Sequence, residues 1–151
     1  MIYADAGFFV ALKVRLDTWH KESVRFLVAN QDVPWLWSPW HRVEVFNSIR
    51  QNTRHPDKSR RLRAPEAKAV IQRLENDVRV GYFTHMEADW RDVLRTANEI
   101  SAANACSLPC RSADLLHVAY AVELAARTFI SFDDNQLAIA DAAGLEAVKP
   151  D

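Results

Sequence analysis

Cysteine is nearly missing from this chain: Cys106 and Cys110 are the only two in 151 residues. That is too few for a disulfide framework or for a zinc site of their own. They read as free thiols in a reducing compartment. Glycine is scarce too, at three residues, and no glycine-rich loop is present to cradle a phosphate. Nothing suggests a Ser-His-Asp triad. No apolar run approaches the roughly 20 residues needed to span a bilayer, which argues against a membrane protein. The first residues carry no basic stretch, and Asp5 interrupts their only apolar run. A signal peptide is therefore not expected, and the reading is cytoplasmic. Excess charge is absent as well. Nineteen basic and 20 acidic side chains leave a net −1, so any nucleic-acid contact must come from a local patch.

What is present describes an ordinary globular chain, with 49% hydrophobic and 26% charged residues. The length suits a single domain over residues 1–151. Periodicity predicts short strands alternating with longer helices. Strands are expected at 2–5, 35–38, 78–83, 128–133 and 146–148. Helices are expected at 7–12, 18–29, 66–77, 87–105 and 135–143, the last ended by Gly144. Two further helices have start signals. Ser38 can act as N-cap with Pro39 at the first helical position, and Ser112 can cap a helix running through Leu124. Strands separated by helices predict an α/β fold with a mostly parallel sheet covered by helices.

Four acids stand in segments where charge is costly. Asp5 closes Ile2-Tyr3-Ala4, and Asp133 closes Phe129-Ile130-Ser131-Phe132. Glu44 lies within Val43-Glu44-Val45-Phe46, and Asp114 precedes Leu115-Leu116-His117-Val118. Carboxylates are rarely buried unless paired or bound to a metal. In an open parallel sheet, sites form beyond the carboxyl ends of the strands, where Asp5 and Asp133 are expected. The helix from Ala113 to Ala125 descends about 20 Å at 1.5 Å per residue. The strand after it climbs about as far at 3.3 Å per residue, which returns Asp133 to the level of Asp114. Clustered carboxylates repel one another, and Mg2+ or Mn2+ relieves that repulsion through oxygen ligands. Such a centre activates water and stabilises charge on a phosphodiester.

These residues resemble a PIN-domain ribonuclease, most nearly the VapC toxins of type II toxin–antitoxin pairs. The resemblance runs almost end to end. It rests on Ile2-Tyr3-Ala4-Asp5 with Phe8-Phe9-Val10-Ala11-Leu12, on Val43-Glu44-Val45-Phe46-Asn47, on Ser112-Ala113-Asp114-Leu115-Leu116-His117-Val118-Ala119-Tyr120-Ala121, and on Phe129-Ile130-Ser131-Phe132-Asp133. It implies a three-layer α/β/α Rossmann-like sandwich and Mg2+- or Mn2+-dependent RNA cleavage. A homodimer and a small antitoxin protein are implied as well. Asp5, Glu44, Asp114 and Asp133 would form the metal site, and Ser131 would match the family's hydroxyl residue two positions before the last acid. The family usually follows its first Asp with Ser or Thr, whereas this chain has Ala6-Gly7 and lacks that hydroxyl. Asp133 fits the pattern as fourth acid, and Asp134 suits an N-cap for the next helix.

Other features are open to two readings. Arg50, Arg54, Lys58 and Arg60 lie in a basic stretch that either contacts RNA or is a solvated surface. Trp35, Trp37 and Trp40 pack in the core or form a dimer or antitoxin surface. His117 lies one turn after Asp114 on the same face, where packing beside an oxygen site is the simpler role. His41 and Glu44 share that spacing without making a zinc motif. The alternative to a nuclease is a catalytically impaired PIN-like module that binds RNA or protein. A receiver-like phosphotransferase also places acids at strand ends, but its usual lysine has only Lys149 as a candidate.

Overall fold

The computed structural model describes residues 1–151. In chain order the elements are β1 (Ile2–Ala4), α1 (Ala6–Lys13), α2 (His20–Ala29), β2 (Leu36–Trp37), α3 (Pro39–Asn52), α4 (Ala64–Arg79), β3 (Thr84–His85), α5 (Trp90–Asn104), α6 (Ser112–Glu123), β4 (Thr128–Ile130), α7 (Asp134–Ala142) and β5 (Glu146–Val148), with a single 3-10 turn at Lys58–Arg60. Every strand pairing is parallel. The order β1-β4-β5 forms one sheet and β2-β3 another, and a bridge between Ile2 and Trp35 joins them. Tyr3 stands opposite Phe129, and Ala4 opposite Ile130.

Alternation along these strands sorts their side chains into two cores. Ile2, Ala4, Trp35, Trp37 and Ile130 pack against α1 to α4, while Tyr3, Leu36 and Phe129 pack against α5 to α7. A parallel sheet covered on both faces needs apolar residues in both directions, which is why these strands read as unbroken apolar runs. The result is the expected three-layer α/β/α sandwich. Trp35 and Trp37 are both core residues. Trp40 is half-buried and packs edge-on against Trp90 and His117. No helix is long and apolar enough to cross a membrane.

The structure shifts most element ends by one to three residues, and some of these corrections bear on the site. The strand expected at 78–83 is displaced: α4 runs on through Arg79, Gly81 turns the chain at φ +81°, and the strand forms at Thr84–His85. Val78 and Val80 look strand-like, but the amphipathic helix captures Val78 for its apolar face. Ser112 is the first residue of α6 rather than its cap, and Arg111 occupies the cap position. β4 ends at Ile130 instead of reaching 133. Asp133 itself caps α7 by accepting from the Asn135 and Gln136 amides, which displaces Asp134 from the expected capping role.

Candidate active site

Asp5, Glu44, Asp114 and Asp133 line one cavity of about 730 Å3 at the carboxyl edge of the sheet, together with Gly7, Ser48, Arg111, His117 and Phe132. Asp5 and Asp133 follow β1 and β4, as the topology requires. Glu44 enters from α3, and Asp114 from the first turn of α6. Asp134 also borders the cavity, but its carboxylate pairs with Lys149 at 2.8 Å. A larger cavity of about 960 Å3 separates α3 from α4 and is lined by Arg42, Arg50, Lys68 and Glu75. With one carboxylate among three cations, it lacks the acid cluster.

Each acid is held by a different device. Asp5 is buried; its Oδ1 accepts the Phe8 amide at 2.7 Å, and its Oδ2 accepts the Ser131 hydroxyl at 2.7 Å. Burial pushes the Asp5 carboxyl up from its ordinary value, and nearby Glu44 adds to the rise. His117 and those two hydrogen bonds oppose it. Ser131 Oγ also meets Gln136 Oε1 at 3.0 Å and accepts the Asp133 amide at 2.9 Å. The hydroxyl thus ties the first acid to the fourth.

His117 holds Glu44. Its Nε2 lies 2.7 Å from Glu44 Oε2, and its Nδ1 lies 3.0 Å from the Tyr3 hydroxyl. An ionised Glu44 can only accept, so Nε2 carries the proton and Nδ1 accepts from Tyr3. The chain of contacts continues inward. Tyr3 Oη is 3.3 Å from Ser38 Oγ, which contacts His41 Nδ1 at 3.0 Å. His41 Nδ1 also accepts the Ser38 amide at 2.9 Å, while Nε2 donates to the Ala4 carbonyl at 2.6 Å. Burial drives His41 well below its ordinary pKa, and His117 pushes the same way. A polar line therefore runs from the cavity through the sheet to the start of α3.

Arg111 spans the cavity mouth. Its Nε donates to Asp114 Oδ2 at 2.8 Å, and its Nη2 donates to Asp133 Oδ2 at 2.9 Å. Hydrogen bonding and charge from Asp114, then charge from Asp133, raise its pKa. The four acids offer only carboxylate oxygens, a donor set that suits Mg2+ or Mn2+. No three acids or histidines are drawn together as ready ligands. The donor chemistry fits a hard cation; Arg111 must release Asp114 and Asp133 for an ion to reach them.

The fold has solved counterparts. The chain is similar over 97% of its length to FitAcB from Neisseria gonorrhoeae, covering 96% of that chain, with a TM-score of 0.69 and 16% identity. It is similar over 99% of its length to Mycobacterium tuberculosis VapC20, a sarcin–ricin loop cleaving toxin, covering all of that chain (100%), with a TM-score of 0.66 and 20% identity. The chain has a VapC-like PIN fold. No family model and no curated protein matches the sequence.

Within this PIN fold, all four acids anticipated from the sequence share one cavity, and Ser131 braces the first of them. His117 has a larger part than packing, because it holds Glu44 directly. Arg50 lines the α3–α4 cavity instead, and Arg54, Lys58 and Arg60 border neither cavity. Arg111 and Tyr3 escaped the sequence reading. The signal for Arg111 was its position three residues before Asp114, at the cap of α6, from which its side chain folds back onto the first turn. Tyr3 sits in an apolar run and gave no such signal.

Proposed function

We propose that this chain is a Mg2+- or Mn2+-dependent endoribonuclease of VapC type, hydrolysing RNA phosphodiester bonds. The observation that carries this reading is the convergence of Asp5, Glu44, Asp114 and Asp133 on one cavity. A bound Mg2+ or Mn2+ would supply Lewis-acid charge at the scissile phosphate and make water a better nucleophile. The protein's own contribution is positional. Ser131 and the Phe8 amide fix Asp5, and His117 fixes Glu44. Asp114 and Asp133 complete the oxygen set, with Arg111 pairing with both until substrate arrives. Once released, the guanidinium is long enough and charged enough to face a phosphate.

Arg50, Arg54, Lys58 and Arg60 are assigned to the RNA backbone. Their replacement should flatten the salt dependence of RNA binding, and an unchanged slope would remove that role. The proposal includes a cytoplasmic homodimer and a small antitoxin partner. The decisive experiment is cleavage of a mixed pool of structured and single-stranded RNAs with Mn2+, Mg2+ or EDTA. Wild type is compared with Asp5→Asn and Asp114→Asn. Metal-dependent cutting lost in both variants supports the reading. Equal trace cutting in all three proteins would end it in favour of a binding module whose Ala6-Gly7 segment lacks the hydroxyl.

A further inference from the structure

Phe132 borders the carboxylate cavity and immediately precedes Asp133. Its ring is the third member of an ordered aromatic stack. Trp35 stacks on Phe8 at 5.2 Å and 17°, and Phe8 on Phe132 at 6.2 Å and 16°. Phe132 in turn stacks on Trp19 at 5.0 Å between centroids and 9° between planes. The stack begins in the core, where Trp35 and Phe8 are buried, and ends at the surface, where Trp19 is 41% exposed. Trp19 is not needed there for the helix it precedes. Ser23 bonds to the Trp19 backbone carbonyl through both Nα and Oγ, and the indole makes no hydrogen bond in that cap.

We propose that Trp19, backed by Phe132, is a stacking subsite for an unpaired base of the RNA whose phosphate enters the carboxylate cavity. This rests on the nuclease reading and adds to it a side chain that contacts a base of the substrate. Three features favour a nucleobase. The platform is flat and its inner ring is pinned, so little freedom is lost when a base lands on it. Phe132 makes the platform continuous with the cavity wall, next to one of the four acids. Exposed Arg15 and Lys21 flank Trp19 in the chain and suit a phosphate backbone. Proteins that bind single strands combine such aromatic faces with nearby cations.

The test uses the full chain carrying Asp114→Asn to suppress cutting. Its affinity is measured for short oligoadenylate and for a ribose-phosphate oligomer of equal length without bases. Trp19→Ala should weaken oligoadenylate binding by about 5- to 150-fold, the range of aromatic-to-alanine losses at base-stacking sites, with little effect on the baseless oligomer. Trp19→Phe should recover most of the loss, and unchanged affinity for the baseless oligomer in Trp19→Ala excludes misfolding as its cause. Equal weakening for both oligomers, or unchanged oligoadenylate affinity, overturns the subsite and leaves the indole to a protein partner. Cleavage by the Asp114-intact protein is read separately. Cutting that persists while Trp19→Ala has no effect defeats this subsite alone; binding that follows Trp19 without any cutting defeats the nuclease reading and keeps the base platform.

Discussion

Arg111 and Asp133, 22 residues apart in sequence, meet at 2.9 Å across the mouth of the cavity. The same guanidinium holds Asp114, so one exposed cation is shared by two of the four acids.

Arg111 should therefore compete with any divalent ion for these carboxylates. Replacing it by Met is expected to tighten Mn2+ binding by up to about 30-fold, since its two exposed ion pairs are each worth at most about 1 kcal/mol. Titration calorimetry on wild type and Arg111→Met reads this directly. Weaker binding in the variant would show that the guanidinium organises the acids instead of occupying their place.

His117 fixes Glu44 from a fully enclosed position, 2% exposed on its side chain. Replacement by Phe keeps the aromatic volume and removes both hydrogen bonds. Loss of a group that orients a ligating acid typically costs about 10- to 100-fold in activity or metal affinity. RNA cleavage should fall by that amount, alongside a weaker Mn2+ isotherm. An active variant with normal Mn2+ affinity would reduce His117 to packing.

Tyr3 links His117 to the interior, and its hydroxyl is fully buried. Tyr3→Phe leaves His117 Nδ1 without its donor. The expected loss of stability is about 1–3 kcal/mol, the cost of an unsatisfied buried polar group. Urea unfolding checks it, and an unchanged midpoint would mean that another donor reaches His117.

His41 is held neutral by burial, so its folded pKa lies below its unfolded value. The sign follows from proton counts. Below about pH 6.5 the unfolded chain binds a proton that folded His41 refuses, so its contribution to stability is present above that pH and lost as the pH falls. The slope approaches about 1.4 kcal/mol per pH unit for one such group. Unfolding free energies between pH 7 and pH 5 should show a shallower slope in His41→Gln than in wild type, whatever the absolute cost of the substitution. Parallel slopes would mean that folded His41 accepts the proton.

Much of this molecule was legible in its local chemistry. Apolar runs such as Ile2-Tyr3-Ala4 and Phe129-Ile130 specify buried parallel strands because both faces must meet helices. Ser38 and Pro39 mark the start of α3, and the structure adds a reciprocal bond from the Ser38 amide to His41. The four acids could be singled out because each interrupts an apolar context at or near an element end.

Boundaries were less legible where two elements compete for the same residues. Val78 has the side chain of a strand residue, yet α4 claims it and Gly81 delays the strand. Asp133 and Asp134 are chemically equivalent in one dimension. Short-range amide geometry gives the cap to Asp133, and Lys149, arriving from beyond β5, draws off Asp134.

The sequence by itself determined the layers, the parallel sheet and the identity of the acids, because burial cost and periodicity are properties of neighbouring residues. Only the tertiary structure decided what holds those acids. Three of those contacts cross long stretches of chain: Arg111 to Asp133 over 22 positions, His117 to Glu44 over 73 and Ser131 to Asp5 over 126. Hydrogen bonds act at about 3 Å whatever the sequence separation, so no local pattern can record them.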